Sequence, residues 1–526
     1  MPRRPLSAVF TIVGLAGLLI YLFWVPLRPV AWGGPRGQGP FEEGDLPAAG
    51  RWTRDARGHL ETFAAWRSPD RPLDATAEML AGVHALLAVA RFGVLWLLLR
   101  HLTGCACLAT LGILLAAGPT IYGATRQDDL DVGLLLFVAL IGVTTSPRVP
   151  WLVAIVGLPA LFVFWVNAHA SALVGLGWVG VITTGRFVEW WKDSPKRATP
   201  GRLMLTLVLC AAATCLNPDG PSYFVDAFRM AKNPNVPSLP DWQPLDFSKP
   251  GWLPWTYLAT LVLLLVTQIF SRRVLGPTAL LIVLSFGFWP VLQQRGLAYW
   301  WLIVVWLIAG LCKCGDRSAA RSTVNERDAA STSLRFGLRR IFFWITLGVF
   351  AIVVVTTPIV RWLVFGHPRA LESVVSRDSP WRVARELTAG DDDAGNYLPD
   401  LRETVRSAYP EGRFRGAILT GVSQGDFLAW VLDGDNNQPV MIYTRPETLD
   451  PPHWSECQRA LDGFSNWWEI LGRHQANLIV IEPRQNVKLA ERLLASANWR
   501  IVEGDANAPL LVAVRRVPKL PVEMQP

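Results

Sequence analysis

Two polar residues interrupt a long apolar stretch in the first half of the chain. Asn167 and His169 lie in the sequence WVNAH at 165–169, between the apolar runs 161–165 and 172–182. A polar group without a hydrogen-bond partner costs several kcal/mol in hydrocarbon. We therefore predict that both side chains lie where one membrane helix ends and the next begins, as candidates for binding or catalysis. The alternative is that they only join two helices through hydrogen bonds.

Two acidic pairs are candidates for general-base chemistry. Asp128 and Asp129 directly precede an apolar segment that begins at Leu130, and Glu42 and Glu43 follow a Gly- and Pro-rich stretch. A carboxylate can take the proton of an attacking hydroxyl, and paired carboxylates can hold a divalent metal ion. The alternative for the aspartates is capping of a helix N-terminus, and the alternative for the glutamates is a solvated loop.

Membrane helices are the elements that must position these residues. The chain has 526 residues, of which 51% are hydrophobic and 17% are charged, and its apolar residues are gathered into long segments. A spanning helix needs about 20 apolar residues, so we predict about eleven transmembrane helices. They are 7–25, 79–99, 105–122, 130–145, 151–166, 168–184, 203–216, 252–270, 275–291, 297–312 and 341–360.

Basic residues predict the orientation of these helices. Arg3 and Arg4 precede the first helix and place the N-terminus in the cytoplasm, and alternation then places the basic segments 186–202 and 313–340 inside. An odd number of crossings leaves the C-terminus outside. The net charge of +8 is accounted for by this topology, so we expect no nucleic-acid partner.

The last part of the chain predicts a separate α/β domain. Residues 366–526 alternate between strand-like and helix-like patterns, which favours a largely parallel sheet. The predicted helices are 382–387, 427–431, 455–471 and 487–496, and the predicted strands are 416–420, 439–443, 477–482, 499–502 and 510–514. We therefore divide the chain into a membrane domain at 1–365 and a C-terminal domain at 366–526. The membrane domain would include an outer loop at 26–78 and a cytoplasmic linker at 313–340. The seven cysteines show neither the spacing of a zinc site nor a disulfide framework.

Several short motifs, taken in order, carry a resemblance to a known class. The chain resembles bacterial polytopic membrane proteins of the GT-C glycosyltransferase class, which are related to mannosyl-, aminoarabinosyl- and oligosaccharyl-transferases. The motifs are WVNAH at 165–169, LNPDG at 216–220 with Tyr223, PDWQP at 240–244, Arg295, GDFLAW at 425–430 and the segment 439–445. The resemblance implies an α-helical polytopic protein of the bacterial cytoplasmic membrane with an extracytoplasmic α/β domain at its C-terminus.

The resemblance also implies an activity. Such enzymes take a sugar from a polyprenyl-phosphate donor in the lipid bilayer and attach it to a glycan, lipid or protein acceptor of the cell envelope, on the outer side. Departure of the polyprenyl phosphate needs a base near the acceptor hydroxyl and positive charge near the phosphate. Acids of the first two outer loops would supply the base. The candidates are Glu42, Glu43, Asp128 and Asp129, with a divalent metal ion as a further component that they could hold.

Three arginines are the candidates for the leaving phosphate. Arg126 and Arg295 are predicted to face outward beside membrane helices, although both could serve only as interfacial anchors. Arg91 lies within the segment 79–99, seven residues after His84, and must snorkel, pair or face water there. Asn167 and His169 would shape or polarise the same site.

The sequence departs from the class in its first outer loop. Relatives carry an Asp followed closely by Trp and His, whereas this chain has FEEGDL at 41–46, and His59 is the only histidine of the loop. This departure favours one alternative, a catalytically inactive scaffold whose C-terminal domain binds an envelope partner. A second alternative is a transporter or flippase of a lipid-linked or anionic substrate, which would use Arg91 and His84 in a central cavity.

Overall fold

Helices dominate the part of the chain that the computed structural model describes, and this part forms two compact units. The first unit contains the described residues between 73 and 217 and between 242 and 312, and the second contains those between 220 and 239 and between 379 and 517. The described residues are 73–121, 130–145, 151–169, 171–193, 200–217, 220–239, 242–248, 252–271, 273–312, 379–388, 398–408, 414–422, 424–425, 428, 432, 440–442 and 449–517.

The first unit consists of apolar helices. Most carry apolar residues around their whole circumference, which is typical of helices surrounded by lipid or by other helices. The helices are α1 (Leu73–Thr103), α2 (Ala106–Ile121), α3 (Leu130–Thr145), α4 (Trp151–Ala168), α5 (Ala172–Asp193), α6 (Pro200–Ala213), α8 (Trp252–Phe270), α9 (Pro277–Ile282), α10 (Phe288–Leu292) and α11 (Gly296–Leu311). A π-helical turn, Val283–Gly287, joins α9 to α10.

The predicted spanning segments coincide with these helices wherever the structure describes them. The first and last segments, 7–25 and 341–360, lie outside the described residues. Among the described residues, two stretches, Ala172–Trp191 and Trp252–Phe270, are long and apolar enough to cross a membrane by length and composition, and six further apolar helical stretches are shorter, at 10–17 residues. The number of eleven crossings and the orientation remain predictions.

Tryptophan side chains join the helices of the first unit through hydrogen bonds. The indole N–H of Trp96 donates to Thr110 Oγ1 at 3.2 Å, and that of Trp178 donates to Thr144 Oγ1 at 3.0 Å. Trp300 makes the same bond to Thr260 Oγ1 at 2.9 Å. Interhelical hydrogen bonds of this kind contribute about 0.5–2 kcal/mol each in a membrane. Several of the 25 tryptophans therefore pack between helices, in addition to those expected at the membrane surface.

The second unit contains a mixed sheet of four strands. They are β1 (Ala417–Thr420), β2 (Ala476–Ile481), β3 (Trp499–Glu503) and β4 (Leu511–Arg515), in the spatial order β1-β2-β4-β3. Only β1 and β2 are parallel, so the prediction of a largely parallel sheet is wrong. Residues 504–510 join β3 to β4, and a connection this short allows an antiparallel pair but not a crossover.

Helices accompany this sheet. They are α12 (Trp381–Thr388), α13 (Pro399–Ala408), α14 (Pro451–Leu461), α15 (Trp467–Arg473) and α16 (Val487–Leu494). The sequence pattern predicted all of those described except α13. The pattern predicted one helix over 455–471, but the chain breaks between α14 and α15 at Gly463, whose φ of +66° suits glycine. A strand was predicted at 439–443, and within its described residues, 440–442, a parallel bridge joins Val440 to Ile418.

An ion-pair cluster fastens α14 to α15. His474 Nε2 lies 2.7 Å from Glu456 Oε2, and Arg473 pairs with the other oxygen of the same carboxylate. The hydrogen bond to His474 and the charge of Arg473 lower the pKa of Glu456. The cluster therefore stabilises this pair of helices while the carboxylate is ionised, and its contribution is lost as the pH falls through the lowered pKa.

A segment distant in sequence completes the second unit. Helix α7 (Ser222–Lys232) is followed by a 3₁₀ turn at Val236–Ser238. The side-chain amide of Asn235 donates to the carbonyl oxygen of Leu449 at 3.1 Å, and Trp454 Nε1 donates to Ser238 Oγ at 2.8 Å. The sequence did not predict this contribution of residues 220–239, and the predicted boundary at 365/366 lies outside the described residues.

Candidate functional site

The chain turns at His169 between α4 and α5, and the polar groups of the turn bind one another. The backbone N–H of Ser171 donates to His169 Nδ1 at 3.0 Å, and Ser171 Oγ lies 2.7 Å from the same nitrogen. Trp165 Nε1 donates to Ser171 Oγ at 3.0 Å. Because Nδ1 accepts a backbone N–H, the proton of the neutral imidazole is on Nε2. The ring of His169 is therefore held in one orientation by the Ser171 contacts at Nδ1.

The first turn of α3 packs directly against this turn. A Cβ atom at Gly133 would overlap Ser171 Oγ and lie 3.0 Å from His169 Nδ1, so no side chain larger than that of glycine fits there. In the sequence, Asp128 and Asp129 end immediately before α3 begins at Leu130. The absence of a side chain at Gly133 thus brings the start of the helix that follows the acidic pair onto the histidine turn.

Tyr299 of α11 is buried beside the same turn. Its hydroxyl makes no hydrogen bond to any described residue, although the Ser171 side chain and the Arg295 charge are near enough to interact with it. Phe137 of α3 packs edge-on against its ring at 5.1 Å, and Trp289 stacks on it at 5.3 Å. Buried tyrosine hydroxyls usually have a hydrogen-bond partner. Tyr299 is therefore a polar group of this region that is suited to a bound ligand.

Arg295 lies at the start of α11 and is held by the 242–244 segment. Its guanidinium carbon is 5.8 Å from the centre of the Trp242 ring. The backbone N–H of Gln294 donates to the carbonyl oxygen of Gln243 at 2.9 Å, and its side chain donates to that of Pro244 at 3.3 Å. These contacts hold the half-buried Arg295 near Tyr299, so two of the motif segments, 242–244 and 295, lie together.

Asn167 joins two motif segments through hydrogen bonds. Its amide nitrogen donates to the carbonyl oxygens of Val163, at 2.7 Å, and of Leu216, at 2.9 Å. The first bond lies within α4, and the second ties the end of α4 to the chain that follows α6. This is the structural role that the sequence left open as an alternative, and it holds the segment from which the His169 turn projects.

Arg91 is buried within α1. It is only 4% exposed, and its guanidinium lies 4.7 Å from the centre of the Phe92 ring. It stands 18 residues after the first residue of α1, about 27 Å along the helix. Its role in phosphate binding remains a prediction, as does its relation to His84, whose side chain is outside the described residues.

The four acidic candidates for the base and one of the arginine candidates lie in parts of the chain that the structure does not describe. Glu42, Glu43, Asp128, Asp129 and Arg126 all lie outside the described residues. Among the residues that are described, no group of three or more His, Cys, Asp or Glu side chains could hold a metal ion. The identity of the base and the presence of a metal therefore remain predictions.

Sequence reasoning missed three residues of this region. Gly133, Ser171 and Tyr299 form its walls together with His169. Ser171 follows His169 by two residues, a spacing at which a hydroxyl can return to the imidazole, and this signal could have been used. Nothing in the local sequence distinguishes Gly133 from the other glycines of the apolar helices, because its function depends on a neighbour distant in sequence.

Two proteins of known structure resemble this chain over almost its whole length. The chain is similar to ArnT from Cupriavidus metallidurans in the apo state, with 14% identity and a TM-score of 0.42 over 95% of this chain and 97% of that one. The same protein bound to undecaprenyl phosphate gives 16% identity and a TM-score of 0.38 over the same shares.

The second similar protein is archaeal. It is the oligosaccharyltransferase AglB from Archaeoglobus fulgidus in complex with an inhibitory peptide and a dolichol-phosphate. It shares 9% identity with a TM-score of 0.42, over 93% of this chain and 71% of that one. No protein-family description matches the chain, and no curated protein matches it.

Proposed function

We propose that this chain is a membrane glycosyltransferase that moves a sugar from a polyprenyl-phosphate donor to an acceptor of the bacterial cell envelope, on the extracytoplasmic side. The observation that carries the proposal is the contact at Gly133, which brings the start of α3 onto the His169–Ser171 turn. The acidic pair Asp128-Asp129 directly precedes this helix in the sequence. A carboxylate pair, an imidazole N–H, a phenol and an arginine are together the groups that sugar transfer needs.

The proposed reaction is a single displacement with inversion. Asp128 or Asp129 takes the proton of the acceptor hydroxyl, whose oxygen attacks the anomeric carbon of the donor sugar. The bond from that carbon to the phosphate oxygen breaks, and the polyprenyl phosphate leaves with both electrons of the bond. Glu42 and Glu43 are the second acidic candidates for the base or for holding a divalent metal ion.

Positive charge at the phosphate is assigned to Arg295, with Arg126 as a second cation. The contact of Arg295 with Trp242 and its electrostatic effect on Tyr299 support this assignment. The Tyr299 hydroxyl would donate a hydrogen bond to an oxygen atom of the donor, and the His169 turn would shape the site. Groups fixed in this way need little reorganisation when charge develops in the transition state.

The first experiment measures transfer directly. The protein in lipid nanodiscs is incubated with radiolabelled polyprenyl-phosphate sugars and an envelope extract. The double variants are Asp128→Asn with Asp129→Asn, and Glu42→Gln with Glu43→Gln. We expect wild-type transfer to fall at least about 100-fold in the first variant. Asp505→Asn, on an exposed turn of the second unit, is the matched control and should retain full activity.

A negative result in this experiment would favour the two alternative functions, a transporter or flippase and a catalytically inactive scaffold. If the folded wild type transfers no sugar from any donor, the proposal is contradicted. The burial of Arg91 within a membrane helix is the observation that favours a transporter or flippase. Movement of a labelled polyprenyl phosphate across proteoliposomes, lost in Arg91→Gln, would establish that function. If the protein shows neither sugar transfer nor lipid transport, the catalytically inactive scaffold is the remaining function.

A further inference from the structure

Helix α7 presents an apolar face that no described residue covers. Val225 and Phe228, one turn apart, are 50% and 61% exposed. The opposite face of the helix carries Tyr223 and Asp226, which are buried in the second unit. A soluble helix would carry polar residues on its exposed face, so Val225 and Phe228 indicate an apolar environment outside the protein.

Two basic side chains continue this exposed face. Arg229 is one turn after Val225, and its side chain is 75% exposed, with an ion pair to Asp226 at 3.3 Å along the flank of the helix. The Lys232 ammonium lies 4.3 Å from the centre of the Phe228 ring. Apolar and cationic groups on one helical face are typical of a helix that lies in the membrane interface, with its cations among lipid phosphates.

The chain itself keeps α7 close to a membrane surface. Five residues separate Ser222 from Asn217, which follows the apolar helix α6, and such a segment reaches at most about 18 Å. After α7 the chain enters α8 at Trp252, which is long and apolar enough to cross a membrane. In the predicted topology, both ends of the segment 217–252 belong to apolar helices that reach the same side of the bilayer.

We propose that the face formed by Val225, Phe228, Arg229 and Lys232 binds acidic phospholipids of the adjacent membrane leaflet. The apolar side chains would enter the acyl region, and the two cations would contact lipid phosphates. Because Asn235 and Ser238 fasten the same segment to Leu449 and Trp454, lipid binding would hold the second unit at the membrane. This inference goes beyond the proposed function and does not depend on it.

Photo-crosslinking of the full-length protein tests the proposal without any sugar donor. The variants are Val225→p-benzoylphenylalanine and Phe228→p-benzoylphenylalanine. Each is irradiated in nanodiscs of phosphatidylethanolamine and phosphatidylglycerol at 3:1, and separately in nanodiscs of pure phosphatidylcholine. The crosslinked products are identified by mass spectrometry. We expect phosphatidylglycerol adducts at both positions. Val517→p-benzoylphenylalanine, which replaces a side chain that is 78% exposed elsewhere in the second unit, should give at least fivefold less.

The charge requirement is tested in the same assay. Arg229→Gln with Lys232→Gln should lower the phosphatidylglycerol adducts at Phe228 at least threefold, with little change in pure phosphatidylcholine. Both substitutions are on exposed side chains, and an unchanged melting temperature verifies the fold. Three results would each overturn the proposal. They are equal labelling at Val517, a crosslinked dimer in place of lipid adducts, and labelling that depends neither on the two cations nor on phosphatidylglycerol.

Discussion

At the scale of single residues, the most informative comparison is between two buried tyrosines whose hydroxyls differ in hydrogen bonding. Tyr257 donates to the carbonyl oxygen of Gly287, whereas the equally buried Tyr299 hydroxyl makes no hydrogen bond to a described residue. A hydroxyl that contributes to packing should matter for stability, and one that contacts substrate should matter for rate. The two tyrosines therefore form a matched pair.

We expect Tyr299→Phe to lower sugar transfer by about 100-fold, as for the loss of one donor to a developing charge. Its melting temperature should be unchanged, because the ring still packs on Phe137 and Trp289. Tyr257→Phe should instead lose about 1 kcal/mol of stability and keep its activity per folded molecule. The measurements are transfer rates and unfolding in the same nanodiscs. Full activity in Tyr299→Phe would remove this residue from the site.

Residue types alone predicted part of this site. Polar side chains in apolar surroundings must be satisfied, so Asn167 and His169 were identifiable without coordinates. The structure gives the two residues different contacts. Asn167 donates to two carbonyl oxygens, whereas His169 contacts Ser171 through one ring nitrogen, Nδ1. Tyr299 was not identifiable, since a tyrosine beside tryptophans in an apolar segment has the ordinary pattern of a membrane interface.

At the scale of elements, the approach of α3 to the His169 turn depends on one missing side chain. Gly133 and Gly142 both lie on α3, but only at Gly133 would an added methyl group meet neighbouring atoms within contact distance. The position of the helix that follows Asp128-Asp129 should therefore respond to a methyl group at one glycine and not at the other.

We expect Gly133→Ala to destabilise the protein by about 1–3 kcal/mol, because the methyl group displaces Ser171 or moves α3. Transfer should fall further than the folded fraction, since the same shift moves the acidic pair. Gly142→Ala should be neutral or stabilise α3 by up to about 1 kcal/mol. Unfolding and transfer are measured on both variants. Equal behaviour of the two would show that this contact does not position α3.

The positions of helices and strands along the chain were more predictable than the order and direction in which the strands pair. Hydrophobic runs located the apolar helices and the strands β2, β3 and β4 to within a few residues, because burial of a segment depends on its own composition. The order and direction of the strands were not predictable in the same way. A single seven-residue connection at 504–510 makes β3 and β4 antiparallel, and the alternation of strands and helices elsewhere obscures it.

At the scale of the whole molecule, contacts between helix ends agree with the predicted alternation across the membrane. Glu189, near the end of α5, accepts a hydrogen bond from the Thr278 hydroxyl at the start of α9. Ser271, just after α8, donates to the carbonyl oxygen of Leu311 at the end of α11. The positive-inside rule assigns all four of these ends to the cytoplasm. Asn167 and Leu216, which are also in contact, are both assigned to the outer side.

Reporter fusions test this orientation directly. Alkaline phosphatase is active only outside the cytoplasm, and green fluorescent protein fluoresces only inside. Eleven crossings with basic loops inside predict an active phosphatase and a dark fluorescent protein after residue 526, and the reverse after residue 330 in the basic segment 313–340. The two fusion sites control for each other, because residues 341–360 should be the only crossing between them. If both sites report the cytoplasm, segment 341–360 does not cross. Residues 379–517 would then lie on the opposite side of the membrane from residues 220–239, with which they form one unit, so the predicted orientation would be wrong.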